Sequence, residues 1–187
     1  MTIGKRFLSF RCTGCGNCCR EPLLPLTDSD LRRIVKHTGD KPESVVRWVD
    51  KDAIDLDDEP ESFVHLRQGR RVMVLAHTRY GCRYLGADDR CTIYTARPLG
   101  CRVFPFDPTF GKDGKLRRLK LIPAAECEYE LDGDNDPERI RKLQTRLDRS
   151  TDAYHRRIAK WNRLQAQRRR DGQPAETSAR FLAYLGF

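Results

Sequence analysis

Cys12-Thr13-Gly14-Cys15-Gly16-Asn17-Cys18-Cys19 is the stretch around which this chain is organised. Four thiols sit in one short loop. The two glycines between them let the backbone take positive φ and turn tightly, so that several sulfurs can converge. Four more thiols follow at Cys82, Cys91, Cys101 and Cys127. An even cysteine count suggests a disulfide framework, but disulfides belong to oxidising compartments and mostly to small secreted domains. Residues 1–11 hold no long apolar region followed by a small-residue cleavage site, so no export signal is read there. No apolar run approaches the roughly 20 residues of a membrane span. The expectation is a cytoplasmic protein with reduced thiols, without membrane association. Clustered cysteines in that setting bind metal or do redox chemistry.

In C-x2-C the two sulfurs can face one ion, and both zinc and iron–sulfur sites use the spacing. Here it is doubled to C-x2-C-x2-C, similar to the run that supplies three ligands to a 4Fe–4S cluster in bacterial ferredoxins. Sequence neighbours rarely point at one ion. The spacing therefore assigns Cys12, Cys15 and Cys18 to one centre and Cys19 to a second site or a reactive thiol. All eight cysteines, Cys12, Cys15, Cys18, Cys19, Cys82, Cys91, Cys101 and Cys127, are read as metal ligands. Thiolate donors suit an iron–sulfur cluster, with 4Fe–4S the first expectation, or zinc. Arg11, Arg20, Arg83, Arg97 and Arg102 flank the cysteines and offer positive charge to offset the thiolates. Among the four histidines, His77 lies five residues before Cys82 and is the best spare ligand.

The remaining sequence supplies the frame. Thr27 with Asp30 forms an acidic capping box before the apolar face Leu31, Ile34 and Val35, and Gly39 is a good stop. Pro42 starts a second short helix with Val45, Val46 and Val49 as its buried stripe. An acidic loop follows over 50–61. Two β-rich runs around Gln68-Gly69-Arg70 predict a hairpin over Phe63 to His77. Cys82–Leu85 and Cys91–Tyr94 predict a second, with Ile93 and Tyr94 in a buried strand. Pro98 starts a tight helical turn that leads into a strand. Phe104–Phe106 then pairs with Leu116–Leu121 across the turn Gly111–Gly114. Asp136-Pro137 opens a long helix whose apolar stripe is Ile140, Leu143, Leu147, Tyr154, Ile158 and Trp161. Asp171-Gly172 ends it, and Phe181–Leu185 docks an apolar face.

Charge is uneven. The chain carries +9 over 187 residues, and residues 137–171 hold 12 Lys/Arg against 4 Asp/Glu, so most of the surplus lies on one helix. That helix face is read first as solvated surface, with nucleic acid or an acidic protein as possible partners. The fold class is α+β. It consists of a small, mostly antiparallel β core with cysteine-rich loops, short N-terminal helices and a long C-terminal amphipathic helix. Residues 1–135 form the cysteine-cluster domain, and 136–187 form the basic helix and tail packed on it.

Phe10-Arg11-Cys12 through Cys19, then Leu26, Asp30-Leu31-Arg32, Cys82-x2-Leu85 and Cys91-Thr92-Ile93-Tyr94-x2-Arg97-Pro98-x2-Cys101-Arg102-x-Phe104-Pro105, resemble the CxxCxxCC, or YkgJ-like, cysteine-cluster family. The resemblance spans roughly residues 7–127 and implies chelation of zinc or iron. The same motif occurs in the flagellin lysine N-methylase, so the resemblance also implies a methyl-transfer relative, although this chain shows no Gly-rich S-adenosylmethionine loop. Three readings follow: a redox or metal-handling protein, a protein-modifying enzyme related to that methylase, and a zinc-stabilised nucleic-acid-binding module.

Overall fold

The computed structural model describes residues 10–20, 23–54, 56, 59–122, 129, 130, 132, 133 and 136–187. In chain order its elements begin with β1 (Arg11–Cys12), α1 (Asn17–Arg20), α2 (Asp28–Thr38), α3 (Pro42–Val45), β2 (Val46–Val49), β3 (Val64–Leu66) and β4 (Gly69–Leu75). They continue with β5 (His77–Thr78), β6 (Gly81–Cys82), α4 (Leu99–Val103), β7 (Phe106–Phe110), β8 (Leu116–Leu121), β9 (Tyr129–Glu130), α5 (Pro137–Arg170) and α6 (Ser178–Tyr184). The class is α+β, with small antiparallel sheets and a long C-terminal helix.

α2 forms where the capping box places it. The Thr27 hydroxyl accepts from the Asp30 amide at 3.2 Å, and the Asp30 carboxylate accepts from the Thr27 amide at 3.3 Å. Gly39 ends the helix in the left-handed region at φ 74°, its amide bonded to the Val35 carbonyl. Leu31 and Ile34 are fully buried beneath it.

The second helix is shorter than the valine stripe suggests. α3 stops at Val45, and Val46–Val49 continues as strand β2. A four-residue helix closes almost none of its own hydrogen bonds. Val46, Trp48 and Val49 instead gain ladder bonds and packing against β4, in register Val46↔Leu75 to Val49↔Val72. The three valines are buried as expected, on a different backbone.

The central sheet has the order β2-β4-β3. The predicted first hairpin is β3 and β4, with its turn at Arg67-Gln68; Gly69 already pairs with Leu66. The 24–26 segment continues the β3 edge of β4, through Leu26 N to Met73 O at 2.8 Å and Leu75 N to Leu24 O at 2.9 Å. That strap brings the chain leaving the cysteine loop onto the sheet. β7 and β8 pair across the turn at Gly111–Gly114, as expected.

The second predicted hairpin is reduced to a single bridge, Leu85↔Cys91. Cys82 belongs instead to the small β5–β6 pair, opposite His77. Past Cys91 the chain turns. Ile93 is buried, but Tyr94 is 63% exposed rather than part of a buried strand. One bridge leaves no ladder to keep residues 92–95 extended, and only the apolar Ile93 gains by turning inward.

α5 starts as expected, with the Asp136 carboxylate accepting from the Glu138 amide at 2.9 Å and Pro137 in the first turn. Ile140, Tyr154, Ile158 and Trp161 are buried, while Leu143 and Leu147 are half-buried. The C-terminal half of α5 is tied to β3 and the residue before it. Trp161 Nε1 donates to the His65 carbonyl at 2.9 Å, Asn162 Nδ2 donates to the Phe63 carbonyl at 2.8 Å, and Asn162 Oδ1 accepts from the His65 amide at 2.8 Å. α6 closes this end. Phe181 is completely buried, its ring edge-on to Trp161 at 5.1 Å and to Trp48 at 5.8 Å between centroids. No helix among the described residues is long and apolar enough to cross a membrane.

Candidate metal centre

The first cysteine loop turns at Gly14 (φ 81°) and Gly16 (φ 74°) and enters α1, which carries Cys18 and Cys19. α1 packs against β6, which carries Cys82. The loop from Cys82 bends back at the Leu85↔Cys91 bridge to present Cys91. α4 then delivers Cys101.

These five thiols occupy one electrostatic neighbourhood. Cys19 feels Cys18, Cys82 and Cys101; Cys101 feels Cys82, Cys18 and Cys91; Cys82 feels Cys91 and Cys18. Cys18 Sγ and Cys19 Sγ lie 4.0 Å apart. A tetrahedral site with metal–sulfur bonds of about 2.3 Å needs sulfurs about 3.8 Å apart, so the vicinal pair has nearly the spacing of two ligands to one ion. A four-residue helix sets both side chains toward the segment that carries Cys82 and Cys101.

The thiols are tuned unequally. Cys18 is pulled down to about 6, first by the hydrogen bond from Cys19 and then by the Arg97 charge. Cys19 is pushed well up, first because it donates that bond and then by burial. Burial pushes up Cys82 and Cys101, with the neighbouring thiols adding to the effect at each. Cys18 therefore carries the charge of the vicinal pair, and Cys19, Cys82 and Cys101 hold their protons until something replaces them.

Three further predicted ligands remain. Cys12 is exposed on β1, paired with Tyr129 of β9. Cys15 is half-buried, its carbonyl accepting from Arg20 Nη1 at 2.9 Å. Cys127 lies outside the described residues. The seven described cysteines are free thiols. Among the described residues, no group of three or more His, Cys, Asp or Glu side chains is placed to hold a metal ion. The donor type fits a metal: thiol sulfurs are soft ligands that suit zinc or an iron–sulfur cluster, and Cys18 and Cys19 have their sulfurs 4.0 Å apart.

Of the five flanking arginines, Arg97 faces the centre, acting on both Cys18 and Cys101, and Arg83 acts on Cys82. Arg11 is instead paired with Asp132 at 2.6 Å and Arg20 with Asp89. Arg102 donates to the backbone carbonyls of Arg97 and Thr95. Those bonds hold the turn between Tyr94 and α4 in shape. Tyr94 does not offer its hydroxyl from a core strand; its exposed ring carries the Arg97 guanidinium at 4.2 Å. His77 stands directly across from Cys82, so their side chains share a sheet face. Burial, then the Arg47 charge, pushes His77 down toward its neutral form.

Two supporting residues carry no motif signal. Asp30 is 1% exposed. Besides capping α2, it accepts from the Leu99 amide at 2.9 Å and pairs with Arg33, which anchors the start of the Cys101 helix. Gly81 has φ 123°, and a Cβ there would lie 2.6 Å from the Cys19 carbonyl oxygen. Only the absence of a side chain allows the β5–β6 turn to sit so close to α1. Gly81→Ala is expected to push the two cysteine segments apart, lowering stability by about 1–3 kcal/mol. The variant should also purify with less metal per chain than the parent, by elemental analysis.

Residues 11–128 match the family CxxCxxCC, described as "Putative zinc- or iron-chelating domain". No curated protein matches the chain, and no solved structure does. The family match covers well over half of the chain and contains all of the clustered thiols, and the chain belongs to the CxxCxxCC family of zinc- or iron-chelating domains.

Proposed function

We propose that this protein is a redox or metal-handling protein that holds its metal through cysteine thiolates, as an iron–sulfur cluster in preference to a single zinc ion. The observation that supports this most is the 4.0 Å approach of the Cys18 and Cys19 sulfurs on a helix packed against the strand that carries Cys82, with the Arg97 charge acting on Cys18 and Cys101. Zinc and a 4Fe–4S cluster each take four thiolates; the C-x2-C-x2-C run, similar to the one that holds three corners of a ferredoxin cluster, favours the cluster. Bound there, a cluster supplies one-electron chemistry and a zinc ion supplies structure.

The chain's own residues have definite tasks in this reading. Cys18 offers a thiolate ready for metal. Cys19, Cys82 and Cys101 must each give up a proton when they bind. Arg97 offsets part of the negative charge that accumulates. Metal uptake is therefore expected to release protons and to weaken as pH falls, because the protonated thiols compete with the metal. Calorimetry of uptake in buffers of different ionisation enthalpy measures the release; equal heats in all buffers would argue against ligation by the buried thiols.

Purification without oxygen distinguishes the two metals. The expected result is a brown protein with a broad visible absorption band and acid-labile sulfide. A colourless protein holding stoichiometric zinc and no sulfide would overturn the iron–sulfur assignment while keeping the thiolate site.

A further inference from the structure

The 94–102 segment and the first turns of α5, with Arg97 in the lining, form an open cleft of about 680 Å³. That volume suits a small-molecule ligand. Its walls are unusually basic. α5 contributes Arg139, Lys142 and Arg146, spaced i, i+3, i+7 so that they share one helix face, and the facing segment contributes Arg97 and Arg102. The one carboxylate in the lining, Asp136, already caps α5 through the Glu138 amide.

Few of these cations have a carboxylate ion-pair partner among the described residues. Among the described residues, Lys142 has a distant carboxylate partner, Glu138 at 3.7 Å, and Arg97, Arg102, Arg139 and Arg146 have no ion pair. The arginines also crowd one another. Arg33, Arg97 and Arg146 all act on Arg102 as like charges. Arg102 is held in place by the carbonyls of Arg97 and Thr95, and Arg97 is fixed over the Tyr94 ring. Two guanidinium forks are thus pre-positioned beside three helical cations in a concave site. Such forks match the paired oxygens of phosphate and carboxylate groups.

We infer that this cleft binds a small, multiply charged oxyanion of the polyphosphate or polycarboxylate class, seated between Arg97 and Arg102 on one wall and Arg139, Lys142 and Arg146 on the other. Five cations from two segments lining one concavity suit a compact, multiply charged ligand; a nucleic-acid strand would instead follow the exposed basic surface further along α5. Because Arg97 also borders the thiols, the ligand sits one residue away from the proposed metal centre. The inference does not depend on which metal is bound there, or on any being bound.

Calorimetric titration of the full-length protein with inorganic pyrophosphate and, separately, citrate, at physiological salt, tests it. Saturable binding of either supports the inference, and the arm that binds names the source. Each of Arg139→Glu and Arg146→Glu, on the solvent-facing rim, is expected to weaken that binding by about tenfold or more. Arg163→Glu, exposed on the same helix outside the cleft, is expected to leave it unchanged. Binding of neither ligand would overturn the inference. So would equal weakening by all three charge reversals, or failure of both small anions while a short oligonucleotide binds.

Discussion

Cys101→Ser is expected to strip the protein of most of its metal. Cys101 sits on α4 among Cys18, Cys82 and Cys91, and its thiol is the one that burial raises most among those acting without a bonded cysteine neighbour. Serine keeps the volume and removes the soft donor, so the loss is chemical and not a matter of packing. Metal per chain should fall to near background by elemental analysis. Because metal binding at such a site is coupled to folding, metal and stability should fall together. A ligand present at about 100 times its dissociation constant adds about 2.7 kcal/mol, which is the scale of the loss. Fluorescence of the core residues Trp48 and Trp161, which pack on Phe181, reports whether the rest of the fold persists. A folded Cys101→Ser protein with full metal content would remove Cys101 from the ligand set.

Asp30→Ala is expected to be the most destabilising single change away from the thiols. Its carboxylate accepts from the Thr27 amide and hydroxyl and from the Leu99 amide, and it pairs with Arg33. Alanine leaves buried N–H donors without an acceptor and a partly buried guanidinium without its counter-charge. Loss of one partner from a buried charged network costs about 3–5 kcal/mol, well beyond the roughly 1 kcal/mol of an ordinary helix cap. Urea unfolding measures the change. Asp30→Asn keeps an acceptor and should fall between the parent and alanine. If Asp30→Ala unfolds at the parental urea concentration, the carboxylate is not what joins α2 to α4. Because the Leu99 amide begins the Cys101 helix, the same variant should also bind metal less tightly.

Much of the frame was legible in local chemistry. The capping box at Thr27 and Asp30, the Gly39 stop, the Asp136-Pro137 start and the Gly111–Gly114 turn each depend on groups within a few residues of one another, so their spacing suffices. The α5 stripe was legible because a 34-residue helix repeats its pattern many times. Val46–Val49 was not. Its valines fit a helical and an extended backbone alike, and the deciding partner, β4, is more than 20 residues away. The second hairpin misled for the same reason: Cys82 found its ladder partner in His77, and the run after Cys91 was left to turn.

The sequence by itself determined the candidate donors and the family. Thiols are identified by residue type, and the C-x2-C-x2-CC run with C-x-I-Y-x2-R-P-x2-C-R is a local pattern that needs no fold to read. Only the tertiary structure decided which thiols meet. Spacing along the loop relates Cys12, Cys15 and Cys18, whereas the packing of α1 against β6 brings the segment of Cys18 and Cys19 to that of Cys82. The proximity of sulfurs from distant segments is set by how helices and strands pack, and that packing depends on an absent side chain at Gly81 and a buried carboxylate at Asp30.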